Sequence, residues 1–189
     1  MDLIIEWIGV VAGIVSVYFL YRNNILTWPI GFVNIGCFMW LCWNQKLYGD
    51  FATNVIFLVV GVWGWVHWSR KDFRIPSSSS FKVRCILGIT TLFSIPITTY
   101  ILINHTVDCS FPLAEASILV LSIFGLWLTS LKKIESWIYW LVADFLMTII
   151  YSLKGLFAMS VYAAMVFILG VLGLFAWKKL INEHKKTIA

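Results

Sequence analysis

Apolar runs of roughly 17 to 22 residues, the length needed to cross a bilayer, recur seven times along the chain. They fall at Ile4–Tyr21, Trp28–Trp43, Phe51–Trp68, Val83–Ile103, Leu113–Leu131, Trp137–Leu153 and Leu156–Trp177. Polar breaks separate them: Arg22-Asn-Asn24, Gln45-Lys46, the basic and Ser-rich Arg70–Lys82, Asn104–Pro112, Lys132-Lys133 and Lys154-Gly155. Lipid offers no partner to open backbone groups, so each run is expected to be a membrane-spanning helix. Asp2 and Glu6 stand where a signal peptide would be basic, and no small-residue cleavage site follows, so the first run reads as a retained span. The polar stretch Lys178–Ala189 is expected to fray into solvent.

Composition agrees with an integral membrane protein. Of 189 residues, 61% are hydrophobic and only 12% charged, and mean hydropathy is +0.89; a soluble domain carries far more charge. Of the 14 Lys and Arg, alternation of sides places Arg22, Arg70, Lys71, Arg74, Lys82, Arg84, Lys132, Lys133, Lys178, Lys179, Lys185 and Lys186 together, with only Lys46 and Lys154 opposite. By the positive-inside rule the N-terminus lies outside and the C-terminus in the cytoplasm. The basic excess is thus a topology signal, and no nucleic-acid partner is expected. The lipid bilayer is the one certain neighbour, and a homo-oligomer is compatible with the sequence.

Sliding the chain by 109 positions without a gap brings its outer thirds into register. Glu6 meets Glu115, Ile25 meets Ile134, Trp28 meets Trp137, Gly61 and Gly64 meet Gly170 and Gly173, and Trp68 meets Trp177. Spans one to three therefore repeat as spans five to seven. Three is odd, so the span between them returns the chain to its starting side and the two units run parallel. The expected fold is all-α: residues 1–70 a first three-helix bundle, 71–110 a cytoplasmic loop and linker helix, 111–180 a second bundle, and 181–189 a tail. Parallel repeats of this kind are a transporter architecture, with substrate held near the midplane between the halves. A duplicated packing unit in a non-transporting scaffold is the competing reading.

Polar groups inside the spans are the candidates for function, because they are costly in lipid. Trp137 and Trp140 stand three apart and Asp144 four beyond, so the three share one helical face. Two indoles beside a carboxylate suit a flat organic cation; Trp near a helix end also serves as an interfacial anchor. Asn34 sits at a depth comparable to Asp144 in the equivalent span, and Asn54 lies in the third. Asn residues there also serve as interhelical hydrogen-bonding groups. Trp28, Phe32, Trp40 and Trp43 form one aromatic ladder, and Trp137, Trp140 and Tyr151 the other. Gly31 and Gly36, with the paired Gly61-x-x-Gly64 and Gly170-x-x-Gly173, read as close-packing positions. Cys37, Cys42, Cys85 and Cys109 have no metal or redox spacing. No nucleophile stands beside a base, so no enzyme, metal site or cofactor is expected.

Four segments in combination resemble the PnuC-like (Pnu) family of vitamin transporters: Trp28-Pro-x-Gly31, Leu47-Tyr48-Gly49-Asp50, Trp63-Gly-Trp65…Trp68, and Lys133-x-Glu135-x-Trp137-x-x-Trp140. The resemblance covers roughly residues 5 to 180. It implies a 3-1-3 arrangement of seven helices like the SWEET sugar transporters. It also implies a multi-pass protein of the cell (inner) membrane and facilitated diffusion of an unphosphorylated vitamin, trapped by cytoplasmic phosphorylation. Nicotinamide riboside is the expected substrate and thiamine the alternative. The family's aromatic pair maps onto Trp137 and Trp140, its following polar residue onto Asp144, and a Gln after the LYGD-like turn onto Asn54. Where nicotinamide riboside carriers have a Gln and a Glu around the last outer turn, this chain has Lys154 and Tyr162.

Overall fold

A computed structural model describes residues 2–70, 75–105 and 110–188, so Lys71, Arg74 and Cys109 lie outside the described residues. Among these residues the chain forms seven α-helices: α1 (Asp2–Tyr21), α2 (Thr27–Asn44), α3 (Tyr48–Trp68), α4 (Phe81–His105), α5 (Pro112–Ser130), α6 (Ser136–Leu153) and α7 (Phe157–Ile188). Each coincides with one apolar run. Six are long and apolar enough to cross a bilayer. The exception, α2, has 18 residues, but Thr27, Pro29, Asn34 and Asn44 dilute its apolar character. The chain is a multi-pass membrane protein.

The C-terminal stretch corrects the expectation of a frayed tail, because α7 continues as helix through Ile188. Lys, Leu and Glu in that stretch are good helix formers. An i,i+4 pair between Lys179 and Glu183 (3.9 Å) and a bond from Thr187 Oγ1 to the Glu183 carbonyl (3.1 Å) support it locally.

The sequence repeat is visible as repeated local structure. Asn23, Lys46, Lys132 and Gly155 all have left-handed backbone, with φ of 52°, 60°, 50° and 75°. Each lies just past the end of a helix and forms the same C-terminal cap. Asn24 and Lys133 N–H groups reach back to the Phe19 and Leu128 carbonyls (both 2.9 Å), and those of Leu47 and Leu156 to Cys42 and Tyr151 (both 2.8 Å). The caps after α1 and α5 are thus equivalent, as are those after α2 and α6.

Neighbouring helices close into a ring in the order α1, α2, α3, α5, α6, α7 and back to α1. Helix α4 lies outside it, packed on α5 and bonded to α6 by Thr91 and Tyr139 hydroxyls 3.2 Å apart. Its Ile86, Ile89, Leu92, Phe93, Ile97 and Tyr100 point outward, as a lipid-facing surface requires. Pro96 lies within α4 without ending it.

Four tryptophans and Leu20 form the core at one end of the ring. Trp28 stacks edge-on to Trp68 (5.6 Å, 88°), and Trp137 meets Trp177 in the same way (5.5 Å, 88°). The glycine pairs explain how the rings fit. A Cβ on Gly64 would overlap the Trp28 ring and one on Gly173 the Trp137 ring, while Phe32 and Leu141 lie over Gly61 and Gly170. A Cβ on Gly31 would come tightly within 3.2 Å of Ser16 Oγ, whereas one on Gly36 would meet nothing, so of these two only Gly31 is a position of close approach. The outer tryptophans tie α3 to α5 and α7 to α1. Trp68 Nε1 donates to the Thr129 carbonyl of α5, and Trp177 Nε1 to the Leu20 carbonyl of α1, each at 3.1 Å. These two bonds are one repeat apart at both donor and acceptor.

The Ser-rich segment before α4 docks on the α5–α6 turn. Ser77 exchanges backbone bonds with Lys132 and Ile134 (both 3.0 Å). The buried Glu135 carboxylate accepts the Ser79 N–H (2.8 Å) and the Ser78 and Ser79 hydroxyls (3.0 and 3.3 Å). Beside it Lys132 is 4% exposed, with its Nζ 4.0 Å from the Trp68 ring centroid. Burial lowers the Lys132 pKa from 10.5 to about 8.

Candidate functional site

The helix ring encloses a cavity of about 350 Å³, within the size range of small-molecule sites. Its floor is made by Trp28 and Trp137 at the first turns of α2 and α6, backed by the tryptophan cluster. Phe32, Ile35, Phe38, Phe57, Leu126 and Val166 supply most of the wall. Polar groups are few and placed singly, a pattern that suits orientation of a mainly flat, apolar ligand.

Five of the seven residues read from the sequence meet here: Trp137, Trp140, Asp144, Asn34 and Asn54 all line the cavity. Trp137 is 1% exposed and belongs chiefly to the core. Trp140 is held from two sides. Its Nε1 donates to Thr129 Oγ1 (3.0 Å), and its indole lies against Gly125, where a Cβ would come within 3.2 Å of the ring. Asp144 follows one turn later on the same face and is 4% exposed; its Oδ2 has no hydrogen-bond partner among the described residues. An unpaired buried carboxylate oxygen is costly, so its retention calls for a reason such as a ligand. Asn34 Nδ2 donates to the Gly9 carbonyl (2.8 Å), and Asn54 Nδ2 to the Asp50 carbonyl (2.9 Å).

Trp40 and Tyr151 do not line the cavity. Trp40 is half exposed on the outside of α2, as is Trp43, so the aromatic ladder of that helix divides: Trp28 and Phe32 face inward while the later tryptophans face outward. Tyr151 lies half-buried near the end of α6, beyond the cavity. Past it, Lys154 and Glu115 form an ion pair of 2.6 Å at the end of the ring opposite the tryptophans.

The structure adds Tyr162, Ser16, Thr27 and Thr129 to the lining. Tyr162 approaches Asn34 over Gly13, whose missing Cβ would lie 2.5 Å from Tyr162 Oη and 2.9 Å from Asn34 Nδ2. Nothing in the spacing marks Tyr162, because only the packing of α7 on α1 turns it inward. Ser16 and Thr27 are joined by Ser16 Oγ to the Thr27 carbonyl (2.8 Å) and Thr27 Oγ1 to the Ser16 carbonyl (3.0 Å), which locks α1 to the start of α2.

Comparison with known proteins gives concordant matches. A family model described as nicotinamide mononucleotide transporter matches residues 3–179. The nicotinamide riboside transporter PnuC of Escherichia coli strain K12 is 23% identical over 193 residues, covering 87% of this chain and 81% of that protein. A PnuC of Neisseria mucosa is 22% identical, covering 94% and 73%. A crystal structure of the vitamin B3 transporter PnuC has the same fold, with a TM-score of 0.78 at 18% identity over 95% of this chain and 83% of the other.

Proposed function

The chain belongs to the nicotinamide mononucleotide transporter family, and we propose that it carries an unphosphorylated vitamin, nicotinamide riboside, across the inner membrane by facilitated diffusion. One observation carries the choice of substrate: the cavity lining includes Trp140 and the carboxylate of Asp144 and, among the described residues, no Lys, Arg or His. A pyridinium ring stacked on a desolvated indole gains about 2 kcal/mol from cation–π attraction, and Asp144 adds charge complementarity. A mononucleotide would bring a phosphate of charge −1.5 to −2 beside that carboxylate without a basic group to receive it. Thiamine is the second reading, since it too joins a cationic ring to neutral polar groups.

In this reading residues 1–70 and 111–180 form two parallel three-helix units joined through 71–110, a 3-1-3 arrangement like the SWEET transporters. The repeated caps and the paired tryptophan bonds support it. The distribution of basic residues supports an external N-terminus and a cytoplasmic C-terminus, so the tryptophan cluster closes the cytoplasmic end and the Lys154–Glu115 pair lies at the outer one. Phosphorylation in the cytoplasm would trap what enters.

Isothermal titration of purified protein with nicotinamide riboside, thiamine and nicotinamide mononucleotide tests the assignment, with uptake of the binder into proteoliposomes. Nicotinamide riboside is expected to bind best and the mononucleotide worst, and Trp140→Ala to abolish the signal. Failure to bind either vitamin would overturn the proposal.

A further inference from the structure

Positions 31 and 140 are one repeat apart and both line the cavity, yet they hold the smallest and the largest side chain available, Gly31 and Trp140. The Trp140 indole is fixed by a chain of bonds: its Nε1 to Thr129 Oγ1 (3.0 Å), and Thr129 Oγ1 to the Gly125 carbonyl (2.8 Å). Its ring lies flat against Gly125. On the equivalent wall a Cβ on Gly31 would press on Ser16 Oγ at 3.2 Å, a hydroxyl already bonded to the Thr27 carbonyl, and would meet no other atom within 4 Å. The carboxylate is one-sided as well, because the repeat partner of Asp144 is Ile35.

We propose that this inequality forms a single ring slot: Trp140 is its platform, Thr129 the positioning residue that holds the platform, and Gly31 the specificity determinant whose missing side chain leaves room for the ring. The proposal rests on the reading that the cavity takes a ring-bearing vitamin. A platform immobilised before binding loses little freedom when the ligand arrives, and its affinity is correspondingly higher. Thr129 suits the task because its side chain serves Trp140 while its carbonyl separately accepts the Trp68 N–H. Substitution of the hydroxyl therefore leaves the contact between the helix triplets in place.

The test is titration of nicotinamide riboside into wild type, Thr129→Val, Thr129→Ser and Gly31→Leu, each checked by its ligand-free melting temperature. Thr129→Val keeps the shape but loses both hydroxyl bonds, of which only the one from Trp140 Nε1 holds the platform, and is expected to bind about fivefold more weakly. Thr129→Ser restores the donor and acceptor and should bind within about twofold of wild type. Gly31→Leu fills the slot and should bind about tenfold more weakly or worse. Wild type that fails to bind overturns the functional reading. Wild type that binds, with Thr129→Val and Gly31→Leu binding equally well, overturns the slot. Thr129→Ser as weak as Thr129→Val overturns the positioning role, and if Gly31→Leu does not fold, the two Thr129 variants decide.

Discussion

Replacing Trp68 and Trp177 by Phe tests whether the tryptophan cluster is a closure or only packing. Each change removes one indole N–H that reaches the other helix triplet, at 3.1 Å to Thr129 or Leu20. The acceptors are not orphaned, since the same carbonyls also receive the Lys132 and Asn23 N–H groups at 2.9 Å. The loss is therefore that of a neutral hydrogen bond, about 1 kcal/mol or a factor of about five each, and roughly 30-fold for both if they add. Residues whose rings stand 6.1 Å apart share neighbours, so the double variant tests that additivity as well. Phe retains the edge-on contacts with Trp28 and Trp137. The assay is the alkylation rate of Val166→Cys, a cavity-lining position, in a background without the native cysteines. A water-soluble maleimide is applied from the side bearing the α1–α2 and α5–α6 turns. Each single variant should raise the rate about fivefold and the double by up to about 30-fold. An unchanged rate in the double variant, with a lowered melting temperature, would show that the tryptophans pack the core without gating it.

Three further outcomes follow from the turns. Glu135→Ala should destabilise the protein by about 2 kcal/mol, because it leaves the buried Ser79 N–H without its carboxylate acceptor (2.8 Å); Glu135→Gln should lose less, and thermal melting of both reads the difference. Lys132 binds its proton less tightly when folded (about 8) than when unfolded (10.5), so its destabilisation is fully present below about pH 8 and relieved between about pH 8 and 10.5. Wild type should accordingly gain stability relative to Lys132→Met as pH rises from about 7 to about 10, and a constant gap in melting temperature would refute the assignment. Lys46→Gly should stabilise by about 1 kcal/mol, since an exposed non-glycine residue there holds φ at 60° while its repeat partner is already Gly155.

Helix number and the repeat were legible because lipid enforces them: a span must be long and apolar, and a duplicated chain keeps its rare Trp and Gly in register. Which way each helix faces was less legible. In water an apolar stripe marks the inner face, but here both faces are apolar and packing sets the rotation. Asp144 stood out because a carboxylate is conspicuous anywhere in a span. Tyr162 and Thr129 did not, because each is unremarkable in its own helix and enters the cavity only through its neighbours. Trp40 shows where helical counting stops. It lies six residues beyond Asn34 and points outward, although Trp28, six residues before Asn34, lines the cavity with it, so the count alone does not decide the facing. The length of α7 was missed because polarity was read as disorder, although the Lys- and Glu-containing stretch is a good helix former.

The equivalent pairs divide by task. Those that fold the chain are kept alike: the four caps, Trp28 and Trp137 over Gly64 and Gly173, and Trp68 and Trp177 each bonded across to the other triplet. Trp28 with Trp137 and Gly61 with Gly170 also line the cavity and are kept, whereas around its polar wall the pairs have diverged: Gly31 with Trp140, Ile35 with Asp144, and the lining residues Asn34 and Tyr162 with Ala143 and Thr53, which lie off the lining. A cavity built from two identical walls would present the same groups twice and hold a two-ended molecule equally well in either direction. The proposed substrate, nicotinamide riboside, has a flat cationic ring at one end and a hydroxylated sugar at the other, and one orientation is favoured only if the walls differ in shape and charge. Trp140 and Asp144 on α6, answered by Gly31 and Asn34 on α2, supply that difference without disturbing the tryptophan frame beneath them.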